Sequence, residues 1–381
     1  MEFSFSEDQN ELRRTARRFL EVASSEARVR SAMKTERGYD PATWAQLSEE
    51  LAWTALTIPE RYGGLGLSYL DLYPLMEEIG RALLCAPFLS TVGLGANALM
   101  IGGSEAQKEL YLPGIAAGET RATLAFAETN GRMDAAGVEA SYVRNGAGYL
   151  LSGAKTYVLD GHTADLLIVA ARSERSTGPG ADGVSVFLVP DDADGVKRKW
   201  LPTMDQTRRL ASVELQDVTV PDDALLGDEG RGWRLCERTL DLARIALAAE
   251  QVGAAEMCLE MSVEYAKVRK QFGRPIGSFQ AIKHKCADML TLVESARSAA
   301  FYASALATQD GEGLEEAASS AKAYCSDAFF HCAAEMIQIH GGIGFTWEHP
   351  AHLYFKRAKA TENLFGGPTF HRERVAAQMG L

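Results

Sequence analysis

The strongest constraint in this sequence is a long stretch without helix breakers. From Trp233 to Arg269 there is no proline and only one glycine, Gly253. A single helix over that stretch spans about 55 Å at roughly 1.5 Å per residue. Two further helical stretches follow it, Phe279 to Gln309 and Leu314 to His340, and the second ends at Gly341-Gly342. Within Phe279 to Gln309, Ile282, Cys286, Met289, Val293, Ala296 and Ala300 recur every three or four positions, the spacing of a helix face. Long helices with short connections imply a bundle.

The chain upstream divides into two more segments. Residues 1–120 read as helical: Ser6 and Gln9 fit a capping box, and Leu12, Ala16, Phe19 and Leu20 keep helical spacing. Pro59 to Gly66 and Gly93 to Gly103 are expected to break these helices into short pieces. Residues 121–226 change character. Leu166 to Ala171 and Val184 to Val189 are apolar, β-branched runs of strand length, separated by the Gly/Ser/Pro-rich loop Ser173 to Gly183. Val213 and Leu215 alternate with polar neighbours, and Pro221 closes that run. Strands without intervening helices predict an antiparallel barrel or sandwich. The 381 residues thus read as an α+β chain of three parts, with boundaries at 1–120, 121–226 and 227–381.

Composition excludes several classes. The formal net charge of −12 argues against a nucleic-acid binder, although a few placed arginines can still hold an anion. The N-terminal residues Met1 to Arg18 are polar and mixed in charge, so neither a signal peptide nor a membrane span is expected there, and no apolar run is long enough for a span elsewhere. Cys85, Cys236, Cys258, Cys286, Cys325 and Cys332 form no C-x-x-C pair and read as reduced thiols of a cytoplasmic protein. There is no P-loop and no G-x-G-x-x-G between a strand and a helix. Ser152-Gly153-Ala154-Lys155 matches S-x-x-K but sits in strand-like sequence, where that nucleophile motif does not work. His340, His349 and His352 lack the spacing of metal ligands.

Two stretches stand out. Arg269 to Gln280 ends the long helix in basic residues, which suits a helix C-terminus as well as an anion site built from the Arg269 fork and the flat face of Phe272. Gln338 to Thr346 carries three glycines in four residues, Gly341, Gly342 and Gly344. Gly341 suffices as a left-handed cap; the excess points to a backbone that a bulky phosphate-bearing ligand can approach.

Together these stretches, R-x-Q-F-G-x-P-I-x-x-F-Q and Q-x-H-G-G-x-G-F-T, resemble the acyl-CoA dehydrogenase family over essentially the whole chain. Phe126-Ala127-Glu128-Thr129 resembles the family's flavin-side strand, and Leu151 to Val158 a second one. The resemblance implies an N-terminal helical domain, a central β-domain and a C-terminal four-helix bundle. It implies FAD as cofactor and α,β-dehydrogenation of an acyl-CoA, in which a carboxylate takes the α-proton and the flavin takes a hydride. Electrons would pass to an electron-transfer flavoprotein. By the same resemblance Arg269, Gln271, Phe272 and Gln280 reach the FAD of a neighbouring subunit, Gln338, Gly341 and Gly342 meet its pyrophosphate and adenine side, Phe126 and Tyr157 stand at the flavin ring, and Arg244 lies near the CoA side.

The departures matter as much. The family's catalytic Glu falls at Gly366, nine residues after Arg357, or alternatively at Ala243. Neither can take a proton. The G-T-x-Q that follows reads Gly367-Pro368-Thr369-Phe370. Some actinobacterial steroid dehydrogenases of the family pair a Glu-bearing subunit with one lacking it, and the chain resembles the lacking kind. That implies a paralogous Glu-bearing partner in an α2β2 heterotetramer acting on a bulky acyl-CoA. Alternatives are a relocated base, with Asp241, Glu250 and Glu362 as candidates, and a flavin-free scaffold. Small residues at Gly93, Gly95, Ala96 and Ala98 would suit a bulky acyl chain.

Overall fold

The computed structural model describes residues 5–176, 178–309 and 311–381; residue 177 of the expected 173–183 loop lies outside them. The chain packs as two units. One holds residues up to 31, 69–84 and 244–381, and the other holds 32–68 and 85–243. The first sequence segment is therefore shared between both.

In the helical unit the expected elements form at nearly the expected bounds: Gly232–Val268 (whose first part belongs to the other unit), Gln280–Gln309 and Leu314–His340. Leu314–His340 is central. Its Ser326 Oγ accepts a bond from Gln251 Nε2 at 3.1 Å, and its Cys325 thiol donates to Ala296 O at 3.4 Å. Shorter helices Ala351–Asn363 and Pro368–Gln378 pack on it. Glu7–Ala23 starts at the expected capping box, with Gln9 N donating to Ser6 Oγ at 3.2 Å and Ser6 N to Gln9 Oε1 at 3.0 Å.

The helix Tyr69–Arg81 crosses the long helix at the one glycine that the long stretch contains. A Cβ on Gly253 would stand 1.8 Å from Glu77 O, and one on Gly80 would stand 1.9 Å from Glu250 O. The two backbones touch reciprocally, so each glycine is required by close approach. Glu77, buried beside this crossing, pairs with Arg297 at 3.0 Å and Arg13 at 3.1 Å.

The other unit is built on a sheet of eight strands: β1 (Ala122–Ala125), β2 (Ser141–Arg144), β3 (Gly148–Leu159), β4 (Leu166–Ser173), β5 (Val184–Pro190), β6 (Val196–Leu201), β7 (Leu210–Pro221) and β8 (Leu225–Leu226). Their order is β6-β7-β3-β2-β4-β5-β8, with β1 also on β4. The expected all-antiparallel pairing needs correction. β4 takes two parallel partners in succession, β1 along Leu166 to Val169 and then β2 at Arg172 and Ser173. The other pairings are antiparallel. Inward residues of β7 are Ala211, Val213 and Leu215, then Val218 and Val220; the change of phase falls at Asp217, whose φ is +53°. The edge strand β6 carries Lys197, Arg198 and Lys199, which discourages edge-to-edge pairing.

Gly93 and Gly95 do not break a helix as expected. They lie inside a buried π-helical segment, Leu89–Ala96, followed by Asn97–Gly102. A Cβ on Gly95 would stand 2.4 Å from Ala122 Cβ. Gly95 thus lets the helix close onto β1.

Replacing Gly253 with Ala forces two helix backbones apart and is expected to cost about 3 kcal/mol, at the upper end of overpacking. A thermal melt shows it as a lowered Tm, and an unchanged Tm would contradict the close crossing.

Candidate functional site

The long helix ends in a two-residue hairpin. Lys270–Gln271 pairs with Arg274–Pro275, and the turn residues Phe272 and Gly273 have φ of +54° and +78°. Two successive left-handed residues make the turn that suits a hairpin's twist, but Phe in that region is strained. The strained Phe272 is also 91% exposed, so its ring is offered outward. Arg269, Gln271 and Gln280 are exposed on the same hairpin and on the first turn of the next helix. Arg274 instead lies over Phe279, its Cζ 4.2 Å from the ring centroid.

The second stretch lies at the end of Leu314–His340. Gly341 has φ +64° and ψ −141°, a conformation outside the expected left-handed cap and open in practice only to glycine. Nothing lies within 4 Å of a Cβ built on Gly341 or Gly342, whereas one on Gly344 would meet His340 Cβ at 2.9 Å. Gln338, Gly341 and Gly342 are exposed, with Phe345 and Trp347 beside them. Tyr265, one turn before Arg269, stacks on His340 at 4.3 Å between centroids, so the two motif stretches meet. Open backbone over adjacent glycines, together with the Arg269 fork and the exposed Phe272 ring on the helix end that Tyr265 joins to His340, fits a dinucleotide such as FAD.

In the sheet unit, Tyr157 sits on a bulge of β3 against β7, with φ +54° and its ring 54% exposed. Phe126 is buried, so of the two residues expected at the flavin from this unit only Tyr157 presents a side chain. The stretch Phe126 to Thr129 is pinned from below. Lys155 Nζ meets Glu128 Oε1 at 2.5 Å, and that oxygen also accepts the backbone N–H groups of Glu139 and Ala140 at 3.0 and 2.9 Å. Burial lowers the Lys155 pKa against the pull of Glu128. Ser152 donates to Asp217 at 2.8 Å, so the S-x-x-K match is structural.

Position 366, where the family resemblance puts the catalytic Glu, is closed. Gly366 has φ +106°, and a Cβ there would stand 2.5 Å from Phe370 Cδ1 and 3.0 Å from His371 Nε2. Three basic side chains surround this loop. Arg244 is buried and donates through Nε to Phe365 O at 3.0 Å. Lys322, fully buried, donates to Ser326 Oγ, Glu362 O and Gly366 O at 2.9, 3.1 and 3.2 Å. Burial and nearby Arg244 pull its pKa down to about 7. His371 is fully buried with no hydrogen-bond partner on either ring nitrogen, and burial pushes its pKa far down. Ala243, the alternative base position, is buried. Among the relocated candidates, Glu250 is held by Arg357 at 2.7 Å and Glu362 by Lys359 at 2.9 Å, while Asp241 is buried.

Sequence reasoning missed Lys322, His371 and Tyr265. Lys322 had one signal, a lone lysine on a helix face otherwise made of Ala, Ser and Cys. Among the described residues no group of His, Cys, Asp and Glu could hold a metal ion, and no helix is long and apolar enough to cross a membrane.

Replacing Lys155 with Met strands a buried carboxylate and is expected to cost about 3–5 kcal/mol. Denaturant unfolding measures it; a change under 1 kcal/mol, roughly a surface value, would mean that the pair pins nothing.

Residues 6–119, 123–218 and 230–380 match the models of the N-terminal, middle and C-terminal domains of acyl-CoA dehydrogenase. The acyl-CoA dehydrogenase IpdE2 of Mycolicibacterium smegmatis is 36% identical over 374 residues, 98% of this chain and 99% of that one. The ChsE4-ChsE5 complex of Mycobacterium tuberculosis contains a chain of similar structure, with a TM-score of 0.90, 27% identity and coverage of 100% and 99%. The Tcur3481-Tcur3483 steroid acyl-CoA dehydrogenase contains another, with a TM-score of 0.87, 30% identity and 98% coverage of both chains. The chain therefore belongs to the acyl-CoA dehydrogenase family, FAD-dependent oxidoreductases that act on acyl-CoA thioesters.

Proposed function

We propose that this chain is the subunit without a catalytic Glu in a heteromeric, cytoplasmic acyl-CoA dehydrogenase, α2β2 in assembly, acting on a bulky acyl-CoA. One observation carries the reading: the volume of the lost base at Gly366 is filled by Phe370 and His371, while the hairpin and glycine loop remain exposed. A chain whose base position is packed shut, but whose cofactor elements are kept, can still lend those elements to a neighbour. The pairing of Glu250 with Arg357 and of Glu362 with Lys359 weighs against a relocated base. Similarity to chains of the ChsE4-ChsE5 and Tcur3481-Tcur3483 assemblies supports a paralogous partner, and the second supports a steroid-like acyl group. The six free cysteines suit a reducing compartment.

FAD, when bound, accepts the hydride that leaves the β-carbon of the substrate. The chain's own contribution is binding and orientation. Arg269 offers two parallel N–H donors to an anionic group and Phe272 a flat apolar face. Gly341 and Gly342 expose backbone N–H groups that a pyrophosphate can approach. Tyr157 presents its ring from the sheet unit. The partner subunit supplies the carboxylate that removes the α-proton, and an electron-transfer flavoprotein reoxidises the enzyme.

Co-expression with a Glu-bearing paralogue is expected to yield a yellow complex with flavin absorbance that dehydrogenates acyl-CoA. The isolated chain is expected to give no turnover. Full activity of the isolated chain would overturn the half-enzyme reading, and absence of flavin from both preparations would overturn the dehydrogenase reading.

Restoring a carboxylate at one position is not expected to help. Gly366→Glu puts a Cβ into the Phe370 ring at a φ that L residues avoid, costing about 2–4 kcal/mol. A melt should show a lowered Tm and an assay no activity from the isolated chain. A stable, active G366E variant would refute the closed position.

A further inference from the structure

Three rings lie where the two cofactor stretches meet. Tyr265 stands on the last turn of the long helix, just before the hairpin. His340 is the last residue of Leu314–His340, directly before Gly341. Their rings stack at 4.3 Å with an interplanar angle of 26°. His349 packs against His340 at 4.4 Å and 47°. His340 is fixed from its own helix, Nδ1–H donating to Met336 O at 2.7 Å. His349 is fixed from the next helix, Nδ1 accepting Ala351 N–H at 3.2 Å. Gly344 closes the loop back over His340, where a Cβ would stand 2.9 Å from His340 Cβ.

No other aromatic contact among the described residues joins the hairpin's helix to the glycine loop's helix at this end. The hairpin itself is exposed; it is held by a ladder of two residue pairs, by Ile276 N–H donating to Arg269 O at 2.8 Å, and by Arg274 and Phe272 against the Phe279 ring, none of which lies in the glycine loop. Its placement relative to Gly341 and Gly342 therefore depends on what its helix end touches. We propose that Tyr265, His340 and His349 are positioning residues: their stack couples the Arg269–Phe272 hairpin to the Gly341–Gly342 loop, so that both present a single surface to the dinucleotide. This rests on the proposed FAD role for what the stack presents, but not for the coupling itself.

The stack has a proton dependence whose sign follows from its surroundings. Burial lowers the pKa of His340, and burial together with His340 lowers that of His349. Glu26 and Arg30, from the helix Glu26–Met33, face His349 with opposite signs. Lys356 lies over Trp347 at 3.9 Å, and His352 lies against the same ring. His349 sits at the start of Ala351–Asn363, where the helix dipole further disfavours a cation, and protonation would remove the acceptor for Ala351 N–H. A histidine with a lowered folded pKa stabilises fully above its unfolded value, about 6.5, and that contribution is lost as pH falls below it.

The test uses hydrogen exchange and flavin binding on the full chain, alone and with its partner. Tyr265→Leu is expected to raise exchange about tenfold in both 270–276 and 341–346, what an aromatic pair is worth, and to leave the rest of the bundle unchanged. It should weaken flavin retention by a similar factor. His340→Phe keeps a stacked ring without a titrating proton. It loses the bond to Met336 O, so exchange in 341–346 is expected to be modestly raised at neutral pH, but its further rise below about pH 6.5 should be smaller than in the parent chain. Unchanged exchange in either segment of the Tyr265→Leu variant, or a uniform rise across the bundle, would overturn the coupling. A parent complex that holds no flavin would sink the proposed function instead, while the exchange readout on the flavin-free chain still decides the coupling.

Discussion

The helical unit depends on the buried ion pair between Glu250 and Arg357. Nη1 and Oε1 are 2.7 Å apart, and both side chains are at most 2% exposed. Charges so deeply buried persist only when paired, because desolvating either alone costs several kcal/mol, on the order of 3–5. The pair ties the middle of the long helix to Ala351–Asn363, the helix that leads into the Phe365–Gly366 loop. The backbone of the same Glu250 abuts Gly80. One residue thus fixes two helix contacts, and a carboxylate held in this way is a poor candidate for a base that must move a proton. Structure and function are joined here: one of the three candidate acids is committed to holding the fold.

Much of the helical architecture was legible because glycine and proline punctuate it clearly. Leu314–His340 follows from its breakers alone, and Gly253 stood out as the only glycine in the long stretch. The same rule failed at Gly93 and Gly95. A glycine that ends a helix and a glycine that lets a helix press onto a strand look alike in one sequence, and here the deciding contact, with Ala122, is to a strand that follows two further helices. The parallel pairings of β4 were hidden for a similar reason. Apolar runs announce a strand but not its neighbour, and nothing in Leu166 to Ala171 says that β1 and β2 share one of its edges.

The candidate site was readable where exposure and sequence coincide. Arg269, Phe272, Gly341 and Gly342 are on the surface, so their chemistry is not masked by packing. The buried half was not readable. Lys322 is one lysine in an alanine-rich helix, and its importance lies in reaching the Glu362 and Gly366 carbonyls from elsewhere in the chain. His371 without a partner, and the stack of Tyr265 on His340, are likewise facts of distance that spacing does not encode. Net charge misled least when read locally. A chain of −12 still brings Arg244 and Lys322 to one loop.

That loop explains why two departures from the family pattern occur together. The Glu position reads Gly366 and the Gln four residues later reads Phe370. In space these are one change, since a Cβ at Gly366 and a ring at Phe370 cannot occupy the same volume. Removing a carboxylate from a buried loop would normally leave a cavity, which is destabilising in proportion to its size. Here the ring fills it. Arg244 and Lys322 meanwhile bond backbone carbonyls of Phe365 and Gly366, which any side chain would leave available. The loop can therefore keep its course without an acid at position 366. Its course is set by bonds to its backbone and not by any side chain at position 366, while the hairpin and the glycine loop stay exposed.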